Sequence, residues 1–207
     1  MTTEGDRVVP NDDLAAEDRT ALGWAVSVEH PTAMKIVERV RARGTGVTVT
    51  ELDAVRDDWA AAGRPAPKHH VHRTPFTFAD GTTVVGVTYL ADDPYARDDE
   101  PSFGLYLDER WQPPWTHEHV DWPDFGVPDD LVALRVALRD LLERARSGQS
   151  VEIGCLGGHG RTGTALACLA VATGSHPDDA VSWVRTNYCD KAVETDQQRA
   201  LVEDFKP

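Results

Sequence analysis

Residues 151–171 read VEIGCLGGHGRTGTALACLAV: a short apolar run, a glycine-rich turn and an alanine-rich apolar segment. That order predicts a strand, a loop and a helix, with the helix N-terminus facing whatever the turn holds. Free N–H groups and the helix dipole favour an anion at such a point, a phosphate above all. Two patterns overlap here. Gly158, Gly160 and Gly163 satisfy G-x-G-x-x-G, the phosphate turn of dinucleotide folds. Cys155 and Arg161, followed by Thr162, satisfy C-x5-R-T, which puts a thiol and a guanidinium at the two ends of one loop.

Context separates them. A dinucleotide fold carries its fingerprint near the start, with further strands after it and an acidic residue about twenty positions on. Only residues 164–207 follow Gly163, and they read as helices: Arg161 to Thr173, Pro177 to Asn187 behind Ser175 as a cap, and Thr195 to Phe205. No sheet can be completed from them, so the thiol pattern is the one to pursue.

Upstream, the chain divides in character. The first twenty residues are polar and acidic and are expected to be mobile. Met34, Val37 and Val40 recur at helical spacing between Pro31 and Arg43, and Thr50 with Asp53 makes a capping-box pattern for a helix carrying Leu52, Val55 and Trp59. A locally basic strip follows, with Lys68, His69, His70, His72 and Arg73. Beyond it the pattern turns to strands. Thr74–Phe78 and Thr82–Leu90 flank a turn at Asp80 and Gly81, and Phe103–Leu107 and Thr116–Asp121 are shorter strand candidates. Leu131, Leu134, Leu138, Leu141, Leu142 and Ala145 trace one face of a helix ending near Gly148.

At 207 residues, 41% hydrophobic and 27% charged, the chain has the composition of a globular protein. Its formal net charge of -14 repels polyanions at long range, so neither nucleic acid nor a membrane is expected as a partner. No apolar run reaches the roughly 18 residues a spanning helix needs. Three cysteines without framework spacing, and no targeting pattern at the N-terminus, point to the cytoplasm. No Cys or carboxylate completes a ligand set around His69, His70 and His72, or around His117 and His119, so no metal and no cofactor is expected.

A thiolate nucleophile cannot also protonate a leaving oxygen, so a separate acid is required. Residues 122–128, WPDFGVP, contain one. With Trp122, Pro123, Asp124, Gly126 and Pro128 matching W-P-D-x-G-x-P, and Cys155, Gly158, Gly160, Arg161, Thr162 and Gly163 matching C-x-x-G-x-G-R-[S/T]-G, the chain resembles the protein tyrosine phosphatase superfamily. The resemblance implies an α/β fold, a central mixed sheet flanked by helices, over residues 75–207, with residues 1–74 a partly helical extension outside it. It implies Cys155 as nucleophile, Asp124 as general acid and base, and Arg161 as phosphate clamp. Leu156, Gly157, Gly158, His159 and Gly160 would complete the substrate-binding loop. Thr162 would donate to the Cys155 sulfur. AVETDQQRALVEDF is similar to the family's glutamine loop, which puts Gln198, with Gln197 as fallback, in the water-orienting role. Asp121 is the rival acid. Gly154 departs from the histidine many members carry before the cysteine, and no phosphotyrosine-recognition loop of the larger enzymes is seen, so compact dual-specificity-like and bacterial members compare best. The expected substrate is a phosphorylated protein, chiefly at tyrosine, or a small phosphoester. An inositol or nucleotide phosphate is the alternative substrate, and a catalytically idle phospho-ligand binder the alternative class. Oligomeric state is left open.

Overall fold

The structure, a computed structural model, describes residues 7–10, 14–27, 30–41, 46–63, 72–89 and 94–207. The chain divides into two units, 1–69 and 70–207. A boundary at 74/75 would cut a strand that runs from Arg73 to Thr77, and the strip residues Lys68, His69 and His70 lie outside the described residues.

In the first unit, strands β1 (Val8–Val9) and β2 (Val47–Thr48) pair antiparallel, and helices α1 (Ala16–Ser27), α2 (Pro31–Arg41) and α3 (Val49–Ala61) pack together. The expected mobile N-terminus is corrected from Leu14 onward. Leu14, Ala21, Leu22 and Ala25 are buried, and the buried carboxylate of Asp18 is held by Arg56 of α3 at 2.5 and 2.8 Å. Polar composition concealed that helix because its small apolar face meets residues distant in sequence. The capping box of α3 is Thr48 with Glu51, two residues before the predicted pair. Glu51 N–H donates to Thr48 Oγ1 and Thr48 N–H to Glu51 Oε2. On α2, Val37 is buried and Met34 half-buried; Ala42 and Arg43 lie outside the described residues.

The second unit holds five strands in the order β3-β4-β7-β5-β6: β3 (Arg73–Thr77), β4 (Thr83–Thr88), β5 (Phe103–Tyr106), β6 (His117–His119) and β7 (Val151–Cys155). β3 and β4 form the predicted hairpin; every other neighbouring pair is parallel. The sheet is therefore mixed, and β7 enters between β4 and β5 at its centre. Alternate residues of β7 serve opposite faces, as the strand period demands. Val151 and Ile153 join the main core with α4 (Leu131–Arg146) and α5 (Gly160–Ala172), on which α6 (Pro177–Asn187) and α7 (Asp196–Glu203) pack. The opposite face carries a smaller aromatic cluster of Val87, Tyr106, Trp111 and Trp115.

Helix ends follow local chemistry. Asp130 caps α4, accepting from Val132 and Ala133 N–H at 2.9 Å each, and Leu134, Leu138, Leu141 and Leu142 are its buried stripe. α6 is capped by His176 rather than Ser175, with Pro177 opening the helix. α5 is buried along residues 160–170, so it shows no polar face from which periodicity could be read.

Gly154 faces the aromatic cluster. A Cβ there would lie 2.5 Å from Val87 Cγ2, 2.7 Å from Trp111 Cζ3 and 2.9 Å from the Val87 carbonyl oxygen. The space a histidine would need before the cysteine is thus occupied by Trp111 and Val87. Gly154→Ala is expected to cost about 1–3 kcal/mol through overpacking. A urea titration would register this as a lower midpoint at unchanged slope, and an unchanged midpoint would contradict the packing described.

Candidate active site

Cys155 ends β7 at the centre of the sheet, and residues 156–159 turn directly into α5. This turn is tied on several sides. Thr88 Oγ1 and Tyr89 N–H donate to the Leu156 carbonyl at 2.8 and 3.1 Å, and the Tyr188 hydroxyl donates to the Gly158 carbonyl at 2.8 Å. Gly158 has φ +72°, and a Cβ there would meet His72, Thr88 and the Val87 carbonyl at 2.9–3.3 Å. Only glycine takes that backbone at no steric cost. Leu156 and His159 are buried and Gly157 half-buried.

The sulfur and the cation converge on this turn. Thr162 Oγ1, fully buried in the first turn of α5, donates to Cys155 Sγ at 3.0 Å. Arg161, 2% exposed, anchors one guanidinium nitrogen, Nη1, on the carbonyls of Leu107 and Trp122, each at 2.9 Å. Its Nη2 lies 3.4 Å from Asp108 Oδ2 and 3.3 Å from Asp124 Oδ1. The acid segment therefore reaches the far end of the cysteine loop. Asp124 is half-buried there while Asp121 stands exposed.

The acid segment is itself held in shape. Trp122 Nε1–H donates to the Gly126 carbonyl at 2.8 Å, and Gly126 N–H donates to the Pro123 carbonyl at 3.0 Å. Phe125, between them, sits at φ +58°, a conformation that costs a non-glycine residue energy and persists only where its surroundings impose it. Gln198 braces the segment from α7: its Nε2 donates to the Gly126 carbonyl at 3.2 Å and its Oε1 accepts from Glu194 N–H at 2.8 Å. It is fully buried, with both ends of its amide engaged in tying two loops together. Thr195 caps α7, accepting from Gln198 N–H at 3.2 Å; Gln197 is half-buried beside it.

Two carboxylates escaped the sequence reading. Glu194 retains exposed surface, yet its carboxyl group presses on the loop: a Cβ at Gly160 would collide with Glu194 Oε2, and the Gly160 N–H donates to the carboxylate. Desolvation and the charge of Asp124 push this carboxyl up, against the opposing effects of Arg161 and Lys191. The signal was present, since Glu194 lies in the stretch AVETDQQRALVEDF, four residues before Gln198. Asp108 is buried next to Arg161 and Arg110. Burial opposes its ionisation, but the hydrogen bonds from Arg110 and the charges of both arginines outweigh it and hold the carboxyl below its usual range. No motif marks it, because only the sheet brings the end of β5 to the loop after β7.

For Asp108 the sign of the pH effect is fixed. The folded state binds this proton less readily than the unfolded chain, so the stabilisation is present above the unfolded value of about 3.9 and is lost as pH falls through the lower folded value. Denaturant unfolding at a series of acidic pH values should show that loss in the wild type and a flatter dependence in Asp108→Asn. Parallel curves would contradict the arrangement.

Cys168 and the His117/His119 pair take structural places. Cys168 is buried in the main core, where desolvation raises its thiol. His117 and His119 lie at β6 and bond the carbonyls of Trp115 and Trp111 at 2.7 and 2.6 Å. All three cysteines are free and buried. Among the described residues no helix is long and apolar enough to cross a membrane.

Comparison with known proteins bears on the family and the fold. The family described as PTP-SAK, Swiss Army Knife protein, DSP-PTPase phosphatase domain, matches residues 127–204. Two uncharacterized proteins of Methanocaldococcus jannaschii, MJECL20 and MJ0215, are 32% and 30% identical over 112 residues each. The matches cover 49% of this chain and 74% and 68% of theirs. Among solved structures, kinase associated phosphatase, with its catalytic-site cysteine replaced by serine, aligns over 67% of this chain and 95% of its own. The TM-score is 0.52 at 14% identity, a likeness of fold.

Proposed function

Since the chain belongs to the protein tyrosine phosphatase superfamily, in its dual-specificity branch, we propose that it hydrolyses phosphomonoesters through a phosphocysteine intermediate on Cys155, with Asp124 as general acid and then general base. The observation that carries this reading is the meeting of three groups at one turn: Cys155 with its Thr162 hydrogen bond, Arg161 on the same turn, and Asp124 at 3.3 Å from Arg161 Nη2.

In the first step the Cys155 sulfur anion attacks phosphorus. The S–P bond forms, the P–O ester bond breaks, and the Asp124 carboxylic acid gives its proton to the departing oxygen. In the second, water attacks phosphorus and passes a proton to the Asp124 carboxylate. The S–P bond breaks, and sulfur leaves as an anion stabilised by the Thr162 hydroxyl. Loop amides and the Arg161 fork serve the equatorial oxygens, where charge is spread in the transition state. Because Nη1 is fixed on two carbonyls, the guanidinium arrives oriented, and a phosphate dianion competes with Asp124 for Nη2. Sulfur and carboxyl complete the reaction between them, so no cofactor enters it.

The substrate we propose is phosphotyrosine in proteins, with phosphoserine and phosphothreonine as further substrates, in a reducing cytoplasm where a thiol nucleophile persists. The strongly negative chain disfavours polyanionic substrates by long-range repulsion. Gln198 we assign to positioning the acid segment, from where it also orients the attacking water. A panel of phosphotyrosyl, phosphoseryl and phosphothreonyl peptides, a nucleoside monophosphate and inositol phosphates should rank the tyrosyl peptides first by kcat/KM. A clear preference for an inositol or nucleotide phosphate would replace this substrate with a non-protein one.

A further inference from the structure

Three side chains that share no motif meet behind the phosphate-facing turn. His72, just before β3, His159, at the N-terminus of α5, and Cys189, just past α6, bring Nε2, Nδ1 and Sγ within 4.8 Å of one another. His72 Nε2 is 3.1 Å from His159 Nδ1, which is 3.3 Å from Cys189 Sγ. All three are at least nine-tenths buried.

These separations suit a metal centre. With zinc–nitrogen and zinc–sulfur distances of about 2.0 and 2.3 Å, tetrahedral geometry puts two nitrogens roughly 3.3 Å apart and a nitrogen and a sulfur roughly 3.5 Å apart. The two shorter gaps fall within a few tenths of an ångström of those edges, and the third, between His72 and Cys189 and within 4.8 Å, closes with a side-chain movement of about an ångström. The donor set, two imidazoles and a thiol, matches a borderline-soft cation and is poor for magnesium or calcium. The cluster is also braced. The Tyr188 ring packs against His72 at a tilt, with centroids 4.6 Å apart, its hydroxyl donates to the Gly158 carbonyl, and a Cβ at Gly158 would lie 2.9 Å from His72 Cδ2. Such outer contacts orient metal-binding imidazoles.

We propose that His72, His159 and Cys189 form a binding site for a borderline-soft divalent cation of the zinc type, clasping the turn that carries Cys155 to the start of β3 and the end of α6. Binding replaces the Cys189 S–H proton, released to solvent, by a metal–sulfur bond, while each imidazole contributes a neutral nitrogen lone pair. Thiolate and divalent cation together leave one net positive charge beside the anion-holding turn. The cation takes no part in the proposed chemistry, and its binding stands or falls independently of it.

The test uses the full chain carrying Cys155→Ser, so that the reactive thiol cannot hold metal. Calorimetric titration with zinc should give one equivalent bound, and cobalt(II) as a substitute should give a thiolate-to-cobalt charge-transfer band, with Cys168 shut in the core. A hundredfold zinc excess over the dissociation constant should raise Tm by roughly 5–10 °C. Adding Cys189→Ser or His72→Gln should weaken zinc binding by on the order of a hundredfold or more and remove the Tm shift. Absence of the cobalt band in the Cys155→Ser protein, or zinc affinity unchanged by Cys189→Ser and by His72→Gln, overturns the proposal. The first result would leave the trio a hydrogen-bonded chain, and the second would place the metal elsewhere.

Discussion

Cys155→Ser should lower turnover of an aryl phosphate by about 10⁴- to 10⁶-fold, the scale on which removal of a covalent nucleophile acts. A serine hydroxyl in the same place stays protonated at neutral pH, and a neutral alcohol is a far weaker nucleophile than a thiolate. At about 1.36 kcal/mol per decade, the loss is roughly 5–8 kcal/mol of transition-state stabilisation. Binding should survive, because the amides of residues 156–161 and the Arg161 guanidinium are untouched and the Thr162 hydroxyl finds an oxygen where it found sulfur. The measurement pairs single-turnover kinetics with equilibrium binding of a phosphotyrosyl peptide. Residual turnover within tenfold of the wild type would remove Cys155 from the nucleophile's role.

Asp124→Ala is expected to reduce kcat by roughly 10²- to 10⁴-fold, the usual contribution of a positioned acid. The effect should grow with the basicity of the leaving oxygen: small for a nitrophenolate, which departs without help, and large for a tyrosyl phenolate or a serine alkoxide. A purely electrostatic or structural role would cost all substrates alike, so the slope across leaving groups is the diagnostic. An equal loss for nitrophenyl phosphate and phosphotyrosine would sink the acid assignment. Loss of the carboxylate also removes one acidic partner of Arg161 Nη2. Phosphate should therefore bind the variant no less tightly, which separates a chemical defect from a failure to hold substrate.

Much of the architecture was legible because it is written in short-range patterns. The leucine stripe of α4 sits on one helical face, the β3–β4 hairpin has its turn at Asp80 and Gly81, and the strand–loop–helix around Cys155 carries its glycines and its helix start within a dozen residues. Boundaries were less legible. Thr48 and Thr50 both precede an acidic residue by three positions, and the choice between them depends on which backbone pairs with Val8 and Val9 in the small sheet. α1 went unread because, among its described residues, the buried ones include two alanines and a charge, Asp18, that is neutralised by Arg56 from another helix.

Local spacing was enough to determine that this chain sets a thiol and a guanidinium at the two ends of one turn and keeps an aspartate on a separate segment, since each of those facts lies within a run of seven to nine residues. The folded chain alone decided the company those groups keep. Inserting β7 between β4 and β5 delivers Asp108 to Arg161, and packing α6 and α7 on α5 delivers Cys189, Glu194 and Gln198 to the back and rim of the same turn. Strand order and helix docking are settled by burial of whole faces and not by the spacing of neighbours. Groups that meet through them leave no periodic trace in the sequence.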